Sequence, residues 1–183
     1  EQMKRDVIEL GIPEGKITAV PMGVCLEEIP YNSHALQETL HKEKRVLYLG
    51  TLRRSRKMDF LIRVFSKVLG KFPHVKLYMV GGGDGKIDEE MLRREAASLG
   101  ITESIVFTGL VPRLDAWQYV MQADVCVSPF YPTPTLNSTS PTKLIEYMAM
   151  GKAVVANEHP EQRLVISESG AGICVPYEET AFA

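Results

Sequence analysis

Short, continuous apolar runs alternate with longer helix-like stretches along most of this 183-residue chain. A strand that is apolar at every position must be buried on both faces, as in a parallel sheet covered by helices on both sides. Amphipathic stretches long enough to form helices connect the runs, as βαβ units require. The pattern therefore predicts an α/β fold with a parallel sheet between two layers of helices.

The expected strands and helices can be placed from these runs and from helix-ending residues. We expect strands at VLYLG (46–50), VKLYMVGGG (75–83), IVFTG (105–109), DVCVSPF (124–130), AVVA (153–156) and ICV (173–175). We expect helices at 58–70, 89–99, 114–122, 141–150 and 160–169. Gly70 and Gly100 are expected to end the first two helices, and Asp88 to cap the second.

The first 44 residues have a different character. They predict a short helix, a KITAV strand (16–20), a PMG turn and a polar, charged stretch. We interpret 1–44 as a lead-in or linker segment from a preceding domain, and 45–183 as a domain shortened at its C-terminus. Both ends are expected to be cuts in a longer protein.

Composition excludes several classes of function. Twenty-one basic and 23 acidic residues give a formal net charge of −2, so charge provides no argument for nucleic acid as a partner. No apolar run approaches the ~18 residues of a spanning helix. The three cysteines are scattered, which favours buried thiols in a reducing compartment and indicates no metal cluster. We expect a cytoplasmic protein; association of the full-length protein with the inner membrane stays open.

The loop after the first strand carries four cations within residues 50–57, which begin with Gly50 and Thr51. In an open parallel sheet, ligands bind beyond the carboxyl ends of the strands. Guanidinium groups next to a helix N-terminus suit a diphosphate. A solvated basic turn is the alternative.

The next two loops are less specific. Residues 81–86, GGGDGK, fit neither a P-loop nor a GxGxxG motif, and their glycines suit either close approach to a ligand or a tight turn. Residues 108–112 offer backbone that could pair with a flat base edge. A plain loop is the alternative there.

The fourth loop, 128–143, is long and rich in Pro, Ser and Thr, and it leads into the helix KLIEYMAMG. Loops of this length in a compact domain are usually functional or mobile. Glu146 lies one turn into an otherwise apolar helix and needs a partner, either a ribose diol or a nearby Arg or Lys. Thr142 and Lys143 are expected to present free backbone N–H groups to phosphate oxygens.

Taken in order, these segments resemble the C-terminal donor-binding domain of GT-B glycosyltransferases, specifically family 4 (glycosyl transferases group 1). The resemblance covers about residues 16–177 and implies a Rossmann-like half of a GT-B fold. The segments that carry it are KITAVPMGV (16–24), YLGTLRRSRKMDFLI (48–62), VGGG (80–83), FTGLVP (107–112), ADVCVSP (123–129), KLIEYMAMGKAVVA (143–156) and GAGICVP (170–176).

The resemblance implies roles for single residues. Glu146 corresponds to the second acid of the family's E-x7-E motif and would bind the ribose. Arg56 takes the place of the lysine that contacts the donor diphosphate, and Thr51 the place of an arginine. Thr142 and Lys143 would hold the diphosphate through N–H groups, and Val111 would lie against the base. Gly50 and Gly82 complete the donor site.

The chain departs from the family pattern at Ser138, which stands where the first glutamate of the motif is usual. That glutamate contacts the donor sugar in many relatives. Ser138 therefore leaves the sugar unassigned, while the nucleotide site is retained.

The activity implied by the resemblance is retaining transfer of a sugar from a nucleotide diphosphate, most commonly UDP, to an acceptor hydroxyl. Arg56 is the first candidate to stabilise the leaving diphosphate and Lys143 the second. Neither a metal nor another cofactor is expected. The preceding domain would bind a carbohydrate or lipid-linked acceptor, so the fragment alone should bind nucleotide without catalysing transfer.

The alternatives are a non-catalytic binding module with this fold and another GT-B enzyme, such as a nucleotide-sugar epimerase or a phosphorylase.

Overall fold

A computed structural model describes residues 1–29 and 43–183 of the chain. Within them, six strands form one parallel sheet in the order β3-β2-β1-β4-β5-β6. The strands are β1 Lys44–Leu49, β2 Val75–Val80, β3 Ile105–Gly109, β4 Val125–Ser128, β5 Ala153–Asn157 and β6 Gly172–Val175. Each predicted strand from residue 46 onward is present, within a few residues of its expected bounds.

The described helices accompany these strands. They are α1 Gln2–Glu9, α2 Asp59–Lys71, α3 Lys86–Ser98, α4 Arg113–Met121, α5 Pro134–Asn137, α6 Thr142–Ala149, α7 Pro160–Ser169 and α8 Glu179–Phe182. The lead-in segment contains α1 and two short 3₁₀ turns, at Glu14–Lys16 and Leu26–Glu28. Among the described helices, none is both long and apolar enough to cross a membrane.

Two apolar cores lie on opposite faces of the sheet, because successive strand residues point to opposite sides. Leu47 packs on one side with Trp117 of α4 and Tyr147 of α6. Its neighbour Tyr48 packs on the other side with Phe65 of α2. The predicted Rossmann-like parallel sheet with helices on both faces is confirmed.

Three local predictions are wrong. No strand forms at 16–20, where the segment pairs with no described strand and Val20 remains 81% exposed. Gly70 does not cap α2, since the helix continues through it to Lys71 and Phe72 is the C-cap. Asp88 lies inside α3, and its carboxylate accepts hydrogen bonds from the backbone N–H groups of Asp84 and Arg54. The polar stretch predicted near the end of the lead-in falls mostly on 30–42, outside the described residues.

The other helix-ending prediction holds. Gly100 has φ +69° and follows α3, and its N–H donates to the Ala97 carbonyl. The short helices α5 and α8 were not predicted, because four residues are too few to show an apolar period.

Lys57, in the loop after β1, has a φ of +53°, a left-handed backbone conformation that is unfavourable for a residue with a Cβ. We predict that Lys57→Gly raises the thermal unfolding temperature. Relief of about 1–2 kcal/mol of backbone strain outweighs the roughly 0.5–1 kcal/mol that the freedom of glycine costs. The matched control is Arg54→Gly in the adjacent 3₁₀ turn, which should lower the unfolding temperature. Equal destabilisation by both variants would contradict the prediction.

Candidate functional site

The strand order reverses between β1 and β4, so the loops that follow these two strands diverge. A crevice at such a switch point is the usual ligand site of an open α/β sheet. The loop after β1 contains Gly50, Thr51 and Arg56, and the segment after β4 leads to α6 with Lys143 and Glu146. The fold therefore places most of the predicted site residues around one crevice.

The backbone is tightly packed at the ends of β1 and β2. The Gly50 N–H donates to the Val80 carbonyl at 2.9 Å, and the Leu52 N–H donates to the Gly82 carbonyl at 2.9 Å. Gly81 has φ +130°, and a Cβ there would come within 2.1 Å of the Gly50 oxygen. Close backbone approach therefore explains the start of the 81–86 glycine run.

Lys143 reaches back from the first turn of α6 to the end of β1. Its Nζ lies 4.0 Å from the centre of the Tyr48 ring and 5.4 Å from that of Phe130. A Cβ at Gly50 would be 2.8 Å from the same Nζ, so the ammonium occupies the space that a side chain there would take. Burial, and then the positive charge of Arg56, lower the pKa of Lys143 to about 7.

Arg56, from the loop after β1, also faces the Phe130 ring. Its guanidinium carbon lies 5.7 Å from the centre of the Phe130 ring. Arg53, by contrast, pairs with Asp84 at 2.7 Å on the surface, and Arg54 and Lys57 are exposed. Among the described residues, neither Arg56 nor Lys143 forms an ion pair. The four-cation loop thus contributes one cation to the crevice, beside the lysine of α6.

Glu146 has protein partners in this structure. The Trp117 indole N–H donates to its carboxylate at 3.3 Å, and Arg113 Nε lies 4.0 Å from the same oxygen. The Arg113 guanidinium stacks on Trp117 at 4.3 Å and also reaches Glu28 at 3.3 Å. The structure therefore contains the arginine partner that was the alternative to a ribose diol. The Arg113 side chain is 57% exposed.

The remaining predicted residues are placed as follows. Thr51 is exposed, and its carbonyl accepts the Tyr48 hydroxyl at 3.0 Å. Val111 is half-buried and packs on the core beneath α4, and Gly82 lies against Leu110, which a Cβ would approach to 3.0 Å.

The Thr142 N–H is not free, because it donates to the Ser140 carbonyl at 3.0 Å. A tight turn centred on Pro141 brings that acceptor to Thr142, which the linear sequence does not reveal. Within the described residues, no hydrogen bond of the Lys143 N–H is found.

Ser138 turns away from these groups. It follows α5, and its hydroxyl donates to the Asp6 carboxylate of α1 and to the Pro134 carbonyl. The hydrogen bond from Ser138 lowers the pKa of Asp6. The lead-in helix thus contacts the position at which the chain departs from the family pattern.

Sequence reasoning did not identify the aromatic and polar side chains around the crevice. Tyr48 and Phe130 were assigned to apolar strands and Trp117 to an amphipathic helix, where an aromatic residue that lines a site cannot be distinguished from one in the core. Asn157 is the last residue of β5 and His159 lies just beyond it; a buried Asn at the end of an apolar strand was a signal that could have been noted. Across residues 1–29 and 43–183, no group of three or more His, Cys, Asp or Glu side chains could hold a metal ion.

Comparison with known proteins identifies the family. Residues 43–183 match the model of the family described as glycosyl transferases group 1. The phosphatidyl-myo-inositol mannosyltransferase of Mycolicibacterium smegmatis is 33% identical over 138 residues, 74% of this chain and 33% of that protein. The chain belongs to the group 1 glycosyl transferases. The alpha-monoglucosyldiacylglycerol synthase of Streptococcus pneumoniae is 27% identical, over 71% of this chain and 28% of that protein.

Solved structures show the same fold. Anabaena Alr3699/HepE in complex with UDP and glucose superposes with a TM-score of 0.80 and 17% identity, over 98% of this chain and 49% of that one. The C-terminal domain of a group 1 glycosyl transferase from Francisella tularensis (LpcC) gives a TM-score of 0.67 with 17% identity, over 86% of this chain and 83% of that one. The chain thus spans about a third of the curated relatives above and about half of the Anabaena protein.

The lack of a side chain at Gly50 leads to a prediction. Gly50→Ala should destabilise the chain by about 1–3 kcal/mol, because φ is +149° and the new methyl group would meet the Lys143 ammonium and the Tyr48 hydroxyl. Chemical denaturation measures the change. The control is Gly85→Ala, whose Cβ meets no atom within 4 Å and whose effect should stay within about 0.5 kcal/mol. Similar stabilities for the two variants would show that the close approach at Gly50 is not maintained.

Proposed function

We propose that the crevice between β1 and β4 binds the nucleoside diphosphate of a nucleotide-sugar, with UDP as the first candidate. The observation that carries this proposal is the pair of cations, Lys143 and Arg56, which face one aromatic ring at the switch point and form no ion pair among the described residues. Two such cations repel each other, and a diphosphate would relieve both their repulsion and their desolvation. UDP-bound structures with the same fold support the choice of nucleotide.

The other parts of the nucleotide can be assigned from the same geometry. Glu146 lies on α6 one turn after Lys143, so a ribose bound there would adjoin a diphosphate at Lys143. Its diol would replace the weak contact with Arg113, while the Trp117 hydrogen bond would hold the carboxylate in place. Val111 would pack against the base, and Gly82, Thr51 and the Lys143 N–H would lie along the phosphates.

We infer that the full-length protein is a retaining glycosyltransferase of family 4 that needs no metal. Arg56 and Lys143 would stabilise the negative charge that develops on the leaving diphosphate, which is where fixed charges contribute most to catalysis. The acceptor hydroxyl would come from a carbohydrate or lipid-linked acceptor held by a preceding domain. The phosphatidyl-myo-inositol and diacylglycerol in the names of two relatives support a lipid-linked acceptor. The present chain would bind donor without catalysing transfer.

Isothermal titration with UDP and with uridine separates the diphosphate and ribose contacts. Lys143→Met should weaken UDP binding by roughly 10–100-fold, the value of a charge-assisted hydrogen bond, and leave uridine binding unchanged. Glu146→Gln should weaken both ligands, because both contain the ribose. Arg54→Met, which removes an exposed cation of the same loop, is the control and should change neither.

The outcomes distinguish the proposal from its alternatives. A folded wild-type chain that binds neither UDP, GDP nor ADP would contradict the nucleotide site. In the full-length protein, unchanged function after substitution of both Arg56 and Glu146 would favour a non-catalytic binding module.

The lowered pKa of Lys143 predicts a pH dependence. A diphosphate favours the ammonium form, so the free protein, with a pKa of about 7, must take up a proton on binding above that pH. Affinity should therefore fall by about tenfold per pH unit above pH 7. UDP-glucose is the suitable ligand between pH 6 and 9, because its diphosphate does not titrate there. Lys143→Met should bind weakly with no such slope, and an equal slope in that variant would assign the titration to another group.

A further inference from the structure

The end of β5 and the start of α7 contain three buried polar side chains that the proposed nucleotide site does not use. Asn157 and His159 are each 1% exposed, and Gln162 is fully buried. A buried polar group without hydrogen bonds is strongly destabilising, so the partners of these side chains show what the segment holds in place. Those partners include the backbone of the long loop after β4.

Asn157 binds Phe130 at two points. Its Oδ1 accepts the Phe130 N–H at 2.6 Å, and its Nδ2 donates to the Phe130 carbonyl at 3.0 Å. Gln162 Nε2 donates to the Asn157 carbonyl at 3.2 Å and to its Oδ1 at 3.4 Å, which fixes the orientation of the amide. Both backbone groups of Phe130 are thereby held, and with them the direction of the bond from its Cα to its Cβ.

His159 restrains the same loop further along. Its Nδ1 accepts the Gln162 N–H at 3.4 Å as the N-cap of α7, so the proton is assigned to Nε2, which donates to the Leu136 carbonyl at 2.9 Å. The imidazole also lies 4.8 Å from the centre of the Phe130 ring. Burial lowers the pKa of His159, which keeps Nδ1 unprotonated and able to accept.

The held ring is the one that both cations of the crevice face. Lys143 Nζ lies 5.4 Å and the Arg56 guanidinium carbon 5.7 Å from the centre of the Phe130 ring. The other groups facing Lys143 are the Tyr48 ring from β1 and the Glu146 carboxylate from its own helix. The Phe130 ring therefore forms one wall of the crevice, and its position follows from Asn157 and His159.

We propose that Asn157 and His159 are positioning residues of the diphosphate site, acting through Phe130 to set the wall against which Lys143 and Arg56 are held. This inference rests on the proposed function, because a positioning role presupposes that the crevice binds a diphosphate. The effect of the two residues on Lys143 can nevertheless be measured without a ligand. The chemistry they serve is recognition of a diphosphate by two preorganised cations. Neither residue touches the nucleotide.

The test is a direct titration of Lys143 in the ligand-free chain by NMR with labelled lysine side chains, its signal assigned by its loss in Lys143→Arg. The variants are Asn157→Ala and His159→Asn; asparagine can still cap α7 but is too short to reach the Leu136 carbonyl. A loosened wall admits water to the ammonium, so the pKa of Lys143 should rise by about 1–2 units in each variant. Affinity for UDP-glucose at pH 6, where Lys143 is charged in every variant, should fall about 5–20-fold, because the cation is less well positioned.

A control variant separates positioning from general loss of stability. Leu92→Ala truncates a buried side chain of α3 on the opposite face of the sheet and should destabilise the chain without moving the Lys143 titration. Phe130→Leu removes the wall and leaves the buried polar network intact, so it should reproduce the shift even if a network variant fails to fold.

Each result has a defined meaning. An unchanged Lys143 titration in folded Asn157→Ala and His159→Asn, or in Phe130→Leu, would overturn the inference, as would an equal shift in Leu92→Ala. If the wild-type chain binds no UDP-glucose, the proposed function fails, and the titration still decides whether the two residues position the lysine.

Discussion

The site depends on the absence of a side chain at Gly50. Gly50 directly follows β1, the loop after β2 approaches it through Gly81, and the Lys143 ammonium occupies the space that a Cβ would fill. The contact joins the two halves of the sheet at its switch point. It also brings α6, which the chain reaches almost one hundred residues later, against the end of β1, where the Leu49 N–H donates to the Tyr147 hydroxyl at 2.7 Å. The shape of the crevice thus depends on the close packing of the Gly50 and Gly81 backbone with the Lys143 side chain.

Two lysines around the crevice are held in states that oppose folding, one by the burial of its charge and the other by its backbone conformation. Lys143 loses hydration between two aromatic rings and lies near Arg56, and Lys57 adopts a backbone conformation better suited to glycine. A chain selected for stability alone would place an apolar side chain at position 143 and glycine at position 57. Groups held in unfavourable states by the surrounding fold are characteristic of sites whose function requires them. The two apolar cores stabilise the rest of the domain and offset the cost of these two lysines.

The fold could be predicted from local pattern because each strand is a continuous apolar run and each crossover is long enough for a helix. Prediction failed where the structure of a residue or segment depended on which other residues of the chain it contacts. KITAV has a strand-like composition, yet no described strand pairs with it. Asp88 has the chemistry of a helix cap, but its carboxylate instead accepts N–H groups from two loops. The free N–H expected at Thr142 is occupied by a carbonyl two residues earlier, through a turn that residue types alone do not specify.

By itself, the sequence determined the order of strands and helices along the chain, and it predicted ligand contacts in the loops after the strands. These follow from local apolar patterning, which is a property of neighbours along the chain. The candidacy of Arg56, Lys143 and Glu146 followed from the resemblance of the surrounding segments to a family motif. Only the tertiary structure decided which of the four loop cations faces the crevice, that Glu146 meets Trp117 and Arg113, and that Asn157 and His159 hold Phe130. Those outcomes rest on contacts between segments distant in sequence, where distance and burial, rather than residue type, determine which groups meet.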